Sequence, residues 1–431
     1  MTRSLPLFVC LALSPLACSS TPSAQMTSDP SAVTYYRDLK PLLESKCVNC
    51  HSDGGIAPFA LTSLDAVVSH KAEIRVAVMN RVMPPWLAGK GCSDYQYDRS
   101  LSDDQINLVT SWVDKGAIAG NQADYVAPAA PTETGGLSRV DLNLKMPVAY
   151  TPQITPDDYR CFIVDWPETT TKFVSGFRAN PGTQTIVHHV IAFLATPTNV
   201  AMYQKLDDAD PAPGYTCFGG PGGGSGGQWI GSWAPGSGGS DFPPQTGIKI
   251  LPGSKVILQV HYNTSVVAPQ PDLTSLDFKL DDTVVKEAVQ LPWTNYQWVT
   301  QKKMPIAAGD PDVMHNFTYD PTTVLSIASN GVLQNDLPIT IYGAGIHMHT
   351  RGTHGRIDLL RANGDKECML DVPRWDFHWQ GGYTFTSQKT FNPGDKVYLE
   401  CHWNNAAGTT ELNWGEGTGD EMCLSGFYVT Q

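Results

Sequence analysis

Thr185-Ile186-Val187-His188-His189-Val190-Ile191-Ala192-Phe193-Leu194 decides the fold of the larger part of this chain. The run is β-branched, aromatic and apolar, which suits a buried strand. Runs of the same make recur at 255–262, 337–349 and 396–403, with Gly, Pro, Asn and Asp between them. Such spacing predicts an all-β sandwich or barrel over residues 138–431. The whole chain, at 431 residues, exceeds what one core serves, so two or three domains are expected. Charged residues make up only 16%, beside 32 Pro and 39 Gly, which argues against a helical bundle or a disordered chain. A formal net charge of −13 speaks against nucleic acid as a partner, because phosphate binding needs a basic face.

Residues 33–125 read differently. Cys47-Val48-Asn49-Cys50-His51 has the spacing of covalent haem c attachment: two thiols join the haem vinyl groups and the next residue places its imidazole on the iron. A thioredoxin-like redox pair or half a zinc site would use similar cysteines. No second pair stands at zinc spacing, however, and no strand-rich unit surrounds this one. The expected distal ligand is Met83, in Arg81-Val82-Met83-Pro84-Pro85-Trp86, with Met79 as its competitor in a helix-like run. Ser102 and Gln105 form a capping box ahead of Ile106, Val109, Trp112 and Val113 at helical spacing, and Gly116 ends that helix. The order resembles a small class I cytochrome c domain. Residues 126–137, rich in Ala, Pro, Thr and Gly, form a linker.

The histidines of the β region are unevenly placed. His188 and His189 are adjacent in one apolar run, and His261 closes another, Val256-Ile257-Leu258-Gln259-Val260-His261-Tyr262. His347 and His349, one residue apart, point to the same face of a strand. A lone histidine in a core is usually a satisfied polar group, but five in or beside apolar strands point to a metal. No carboxylate-rich cluster accompanies them, which disfavours Mg or Ca. Imidazole suits zinc or copper, and a nearby thioether tips the choice to copper. Met422, in Asp420-Glu421-Met422-Cys423, is such a thioether.

These motifs, in this order and context, resemble the copper type II, ascorbate-dependent monooxygenases, over roughly residues 138–431. The resemblance implies two tandem jelly-roll-like β-sandwich domains, 138–285 and 286–431, with one copper each. His188, His189 and His261 would hold an electron-transfer copper, and His347, His349 and Met422 the catalytic one. It also implies disulfides Cys161–Cys217 and Cys401–Cys423, which leaves Cys92 and Cys368 either bridged or separate. Its chemistry would be hydroxylation of a C–H bond with O₂, electrons coming from ascorbate or from a periplasmic or respiratory donor through the haem. Where peptide-hydroxylating members carry an arginine for the substrate carboxylate, this chain has Gly345. Their Asn and Tyr after the ligand methionine are Leu424 and Gly426 here. The substrate is therefore expected to be another small organic molecule, and Trp375, Phe377, Trp379 and Tyr383 offer either an apolar surface for it or core packing.

Arg3 and the short apolar run to Ala17 predict an export signal over residues 1–18, ending in a lipobox-like Leu16-Ala17-Cys18. Cys18 would be lipidated and residues 19–32 would act as a tether; ordinary cleavage near Ala24 is the alternative. Export as an outer-membrane lipoprotein, or as a soluble periplasmic or secreted protein, fits six scattered cysteines. His70, His354, His378 and His402 read as structural or surface groups, as does the Met314-His315 pair among turn residues. Gly219 to Gly227 reads as a flexible connection. A non-catalytic copper and electron-carrier protein of the envelope remains the second reading.

Overall fold

Ser102 both accepts from the Gln105 backbone at 3.2 Å and is capped in return by the Gln105 side chain at 2.9 Å. That reciprocal cap, which contributes about 1 kcal/mol, starts α4 (Asp103–Asp114) after α1 (Lys40–Lys46), α2 (Leu64–Ser69) and α3 (Lys71–Met79). Val109 and Trp112 of α4 are buried with Tyr35, Leu39, Leu43 and Val78 in one cluster, against which Cys47 packs. Arg75 ties α3 to Asp114 of α4 at 2.9 Å. The computed structural model describes residues 32–431 except 54, 56, 129–135, 224–226, 236, 266, 330, 416 and 418. The signal over 1–18 with Cys18, most of the 19–32 tether and the middle of the 126–137 linker lie outside the described residues.

Beyond these four helices the described chain is mostly β. The strands β1 (Leu142–Lys145), β2 (Asp157–Asp165), β3 (Lys172–Asn180) and β4 (Val187–Ala195) come first. After α5 (Val200–Ala209) follow β5 (Tyr215–Thr216), β6 (Gln228–Trp233), β7 (Ser240–Asp241), β8 (Thr246–Ile250), β9 (Lys255–Asn263), β10 (Ser275–Asp281) and β11 (Lys286–Trp293). Their order is β1-β10-β3-β8-β11-β6-β4-β9-β2-β5. In β9 every residue from Val256 to Tyr262 is buried, so both faces are covered, as its unbroken apolar run requires. Cys161 of β2 is bonded to Cys217.

After α6 (Tyr296–Gln301), β12 (Val313–Tyr319) and α7 (Thr322–Ala328) come β13 (Ile339–His347), β14 (Gly352–Leu360), β15 (Lys366–Val372), β16 (Gly382–Phe391), β17 (Lys396–Trp403) and β18 (Leu424–Thr430). One sheet reads β12-β17-β14-β15; on the other, β13 lies between β16 and β18, and β18 pairs with β11. Thus β11, the opening of the second predicted unit, also pairs with β6 and β8 of the first. Two separate apolar clusters, one for each set of strands, form the cores. β17 shows the period-two pattern plainly: Val397, Leu399, Cys401 and Trp403 are buried, while Tyr398, Glu400 and His402 face outward.

The helical unit is fastened to the last set of strands. Of the alternatives for Cys92 and Cys368, the structure forms the bridge, with the two Cα atoms 5.1 Å apart. Tyr95 donates to the Met369 carbonyl at 3.0 Å, Gly89 N–H to Asp371 at 2.7 Å, and Trp86 packs edge-on against Tyr383 at 5.1 Å. Among the described residues, no helix is long and apolar enough to cross a membrane.

Candidate metal centre

Adjacent residues of a regular strand point to opposite faces, so His188 and His189 could not both serve one ion without a break in the ladder. The structure has that break. Val187 pairs with Tyr262 and His189 with His261, which leaves His188 as the extra residue of a β-bulge. The bulge brings His188, His189 and His261 together, with a ligand atom of each within 4.8 Å of the others. The Nδ1 atoms of His188 and His261 each lie 3.3 Å from Nδ1 of His189. His261 donates from Nε2 to Asp157 at 2.9 Å, which turns its Nδ1 lone pair into the cluster. Tyr159 stacks on the His261 ring at 3.9 Å. Burial first, and then the neighbouring imidazoles, push His189 and His261 well below the usual histidine range, and His188 to about 4. All three are therefore neutral at neutral pH, the form in which imidazole can hold a metal. His188 Nε2, on the other side of its ring from the Nδ1 that faces His189, is buried with no partner. The donor set fits copper.

His347 ends β13 and His349 lies two residues past it, with ring centroids 5.1 Å apart, while Met348 between them is buried in the core. Here the tautomers are reversed. His347 donates from Nδ1 to the Gln380 side chain at 2.5 Å, and His349 from Nδ1 to the Asp420 carbonyl at 3.0 Å, which leaves both Nε2 lone pairs free. Burial, with His349 close by, lowers His347 to about 3. Cross-strand register places Leu424 of β18 opposite His347, so buried Met422 stands two residues before that partner. Cys423 next to it is bonded to Cys401. Glu421, fully buried, accepts from the backbone of His349 at 2.9 Å, the backbone of Arg351 at 2.6 Å and Trp403 Nε1 at 2.9 Å. Burial raises its carboxyl to about 7 against the pull of these three donors. Nothing in its sequence position marks this role; only the fold brings the three donors round.

The two sets meet. Phe377 lies 5.1 Å from the His188 ring and 6.1 Å from that of His349, and the charge of His347 or His349 would be felt at His189 and His261. Phe377 thus belongs to the site, whereas Trp375 and Tyr383 are core and Trp379 packs at its edge. Gly382, Gly345 and Gly426 stand in register across β16, β13 and β18, on the side that carries His347. A Cβ at Gly382 or Gly426 would meet nothing within 4 Å, so the floor beside His347 is bare.

The remaining candidates are placed as follows. His51 donates from Nδ1 to the Phe59 carbonyl at 2.9 Å, leaving Nε2 unshared, beside the unpaired Cys47 and Cys50. Met83 follows α3 and is half-buried. His70 stacks on Phe59 at 3.9 Å, and exposed His378 pairs with Asp376. His315 donates to Pro305 and lies against Trp403, while Met314 is exposed. His354 and His402 meet Glu400 in a cluster that sequence reasoning missed.

Soft and borderline donors, buried and held neutral on β-sheets, define a copper-binding class of protein. The description "Copper type II ascorbate-dependent monooxygenase, N-terminal domain" matches residues 142–267, and its C-terminal counterpart matches 313–430, more than half of the chain between them. The chain belongs to the copper type II ascorbate-dependent monooxygenase family. DBH-like monooxygenase protein 1 of Gallus gallus is 23% identical over 207 residues, 45% of this chain and 31% of that protein. Its Homo sapiens counterpart is 26% identical over 207 residues, 45% of this chain and 32% of its own. The chain matches only about a third of the length of these relatives. Among solved structures, the infectious bursal disease virus VP2 subviral particle overlaps 69% of this chain and 74% of its own at TM-score 0.15 and 9% identity, too slight a likeness to characterise the fold.

Proposed function

We propose that the protein is a copper-dependent monooxygenase that hydroxylates a C–H bond of a small organic substrate. The observation that carries this reading is the meeting of two buried histidine sets around Phe377, in a chain of this family. His188, His189 and His261 would hold one copper through Nδ1, and His347, His349 and Met422 the other. Bound copper would supply O₂ reduction and the attack on the C–H bond. Asp157 orients His261, Gln380 orients His347, and Glu421 fixes the backbone that carries His349. Phe377 keeps the space between the sets apolar. The Gly382-Gly345-Gly426 floor carries no side chain to grip a carboxylate, which supports an apolar or aromatic substrate over a peptide. The test is turnover of copper-loaded, ascorbate-reduced protein under ¹⁸O₂ with a panel of apolar and aromatic compounds. A product with one ¹⁸O atom is expected. Full copper occupancy without any labelled product would favour the electron-carrier reading.

The helical unit is proposed to carry one haem c on Cys47 and Cys50, with His51 and Met83 as iron ligands. Support comes from the His51 tautomer and from the rigid attachment of this unit through Cys92–Cys368. Haem would supply electrons from ascorbate or from a periplasmic or respiratory donor. A c-type spectrum that survives denaturation is expected, and Met83→Ala should abolish the sulfur-to-iron charge-transfer band; loss through Met79→Ala instead overturns the assignment. Export with a lipid on Cys18 is part of the same proposal, and Cys18→Ser should abolish labelling by a radioactive fatty acid.

A further inference from the structure

On the outward face of the β12-β17-β14-β15 sheet lies a second group of metal-competent side chains, separate from the copper donors. Glu400 and His402 are two residues apart on β17, so they share a face. His354 of β14 is the register partner of His402, brought there by an irregularity between Gly352 and His354. A ligand atom from each of His354, Glu400 and His402 lies within 4.8 Å of the other two. β17 is an interior strand, paired with β12 on one side and β14 on the other, so the donors stand on a rigid frame.

A neutral His402 cannot donate to both of its acidic partners. Asp312 takes Nδ1 at 2.9 Å, and Glu400 faces Nε2 at 3.2 Å. A neutral imidazole has one N–H, so one of its nitrogens presents a lone pair to a carboxylate. Tyr398 donates to the other oxygen of Glu400, and His354 Nε2 meets Asp371 at 2.8 Å. Asp312 and Asp371 thus stand behind the two imidazoles as the carboxylates that orient metal-bound histidines do. Glu400, Asp312 and Asp371 bring three carboxylates to the two imidazoles, while Arg356 is engaged by Asp358 at 2.9 Å and reaches Asp371 at 3.9 Å.

We propose that His354, Glu400 and His402 bind a divalent transition metal, zinc by their donor chemistry, with water completing the coordination. The ion would clamp β14 to β17 on the reverse side of the strand whose Cys401 anchors the Met422 loop. The role is structural support for the copper centre rather than a share in its chemistry, and the site stands or falls independently of the monooxygenase reading.

The experiment titrates the full-length, copper-loaded protein with Zn²⁺ by calorimetry, and with Co²⁺ by visible absorption. One further equivalent of Zn²⁺ per chain is expected, with Co²⁺ giving the intense bands of a four- or five-coordinate ion. His402→Ala and His354→Ala should each weaken Zn²⁺ at least a hundredfold, and Glu400→Gln at least tenfold, with copper content unchanged. Circular dichroism checks that the variants are folded; should His402→Ala not fold, His354→Gln reads the same loss. Two results overturn the proposal: zinc binding of equal strength in wild type and folded variants, or no saturable site in the wild type. In the second case, nitrogen NMR showing a doubly protonated His402 would make the cluster an imidazolium–carboxylate network instead.

Discussion

Glu421 shows how much of the centre depends on a residue that is itself no copper donor. Three N–H groups converge on its carboxylate, two of them from the loop that carries His349. Glu421→Ala would leave the His349 N–H and Trp403 Nε1 buried and unmatched, a loss of at least about 2 kcal/mol at about 1–3 kcal/mol per orphaned group. Urea unfolding should show that loss, with Glu421→Gln recovering part of it because its amide oxygen still accepts. The glycine floor makes the opposite kind of prediction. Gly426→Val fills open space, so copper content and unfolding midpoint should hold while KM rises for bulky substrates. Falling kcat at constant KM would place the substrate elsewhere. At this scale the sequence was legible where chemistry is local: the two histidine pairs, His261 and Met422 stand out there as candidate donors. Glu421 and Phe377 do not, because their roles arise from contacts 72 and 189 residues away in the chain.

Among the elements, the bulge in β4 is what turns two neighbouring histidines to one side. The strand was plain from its apolar run, but register depends on β9, a distant partner, and no local signal encodes it. The same holds for His354 and His402, whose meeting needs the β14–β17 register. A second element-level device joins β2 to the end of α5. Buried Arg160 makes a two-pronged pair with Asp210, and that hydrogen bonding holds the Asp210 carboxyl down to about 2. Asp210 binds its proton more weakly folded than unfolded, so the stabilisation is present above about pH 4 and lost as pH falls toward 2. Allowing for its partial exposure, Asp210→Asn should cost about 1–2 kcal/mol at pH 7. The gap between wild type and variant in urea unfolding should close between pH 4 and pH 2. A gap that persists unchanged through that window would mean that packing, and not charge, carries the contact.

For the whole molecule, the helical unit and the last set of strands behave as one body because of Cys92–Cys368. The bridge closes a loop of 276 residues, and loop entropy gives an upper bound of about 5 kcal/mol for its effect. In Cys92→Ser/Cys368→Ser, limited proteolysis should release the 33–125 unit while the β region stays resistant. Retention of the unit in the variant, as in wild type, would show that the seam of Trp86, Tyr95 and Tyr383 suffices alone. The division into helical and β parts could be read from composition and periodicity, whereas the sharing of β11 between both cores could not. The proposed chemistry requires two separate coppers in the two histidine sets despite their closeness. Copper counted by mass spectrometry in wild type, His189→Ala and His347→Ala tests it most directly. Two per chain are expected in wild type and one in each variant; a single copper in wild type that either substitution removes, or zinc in its place, would contradict two separate sites.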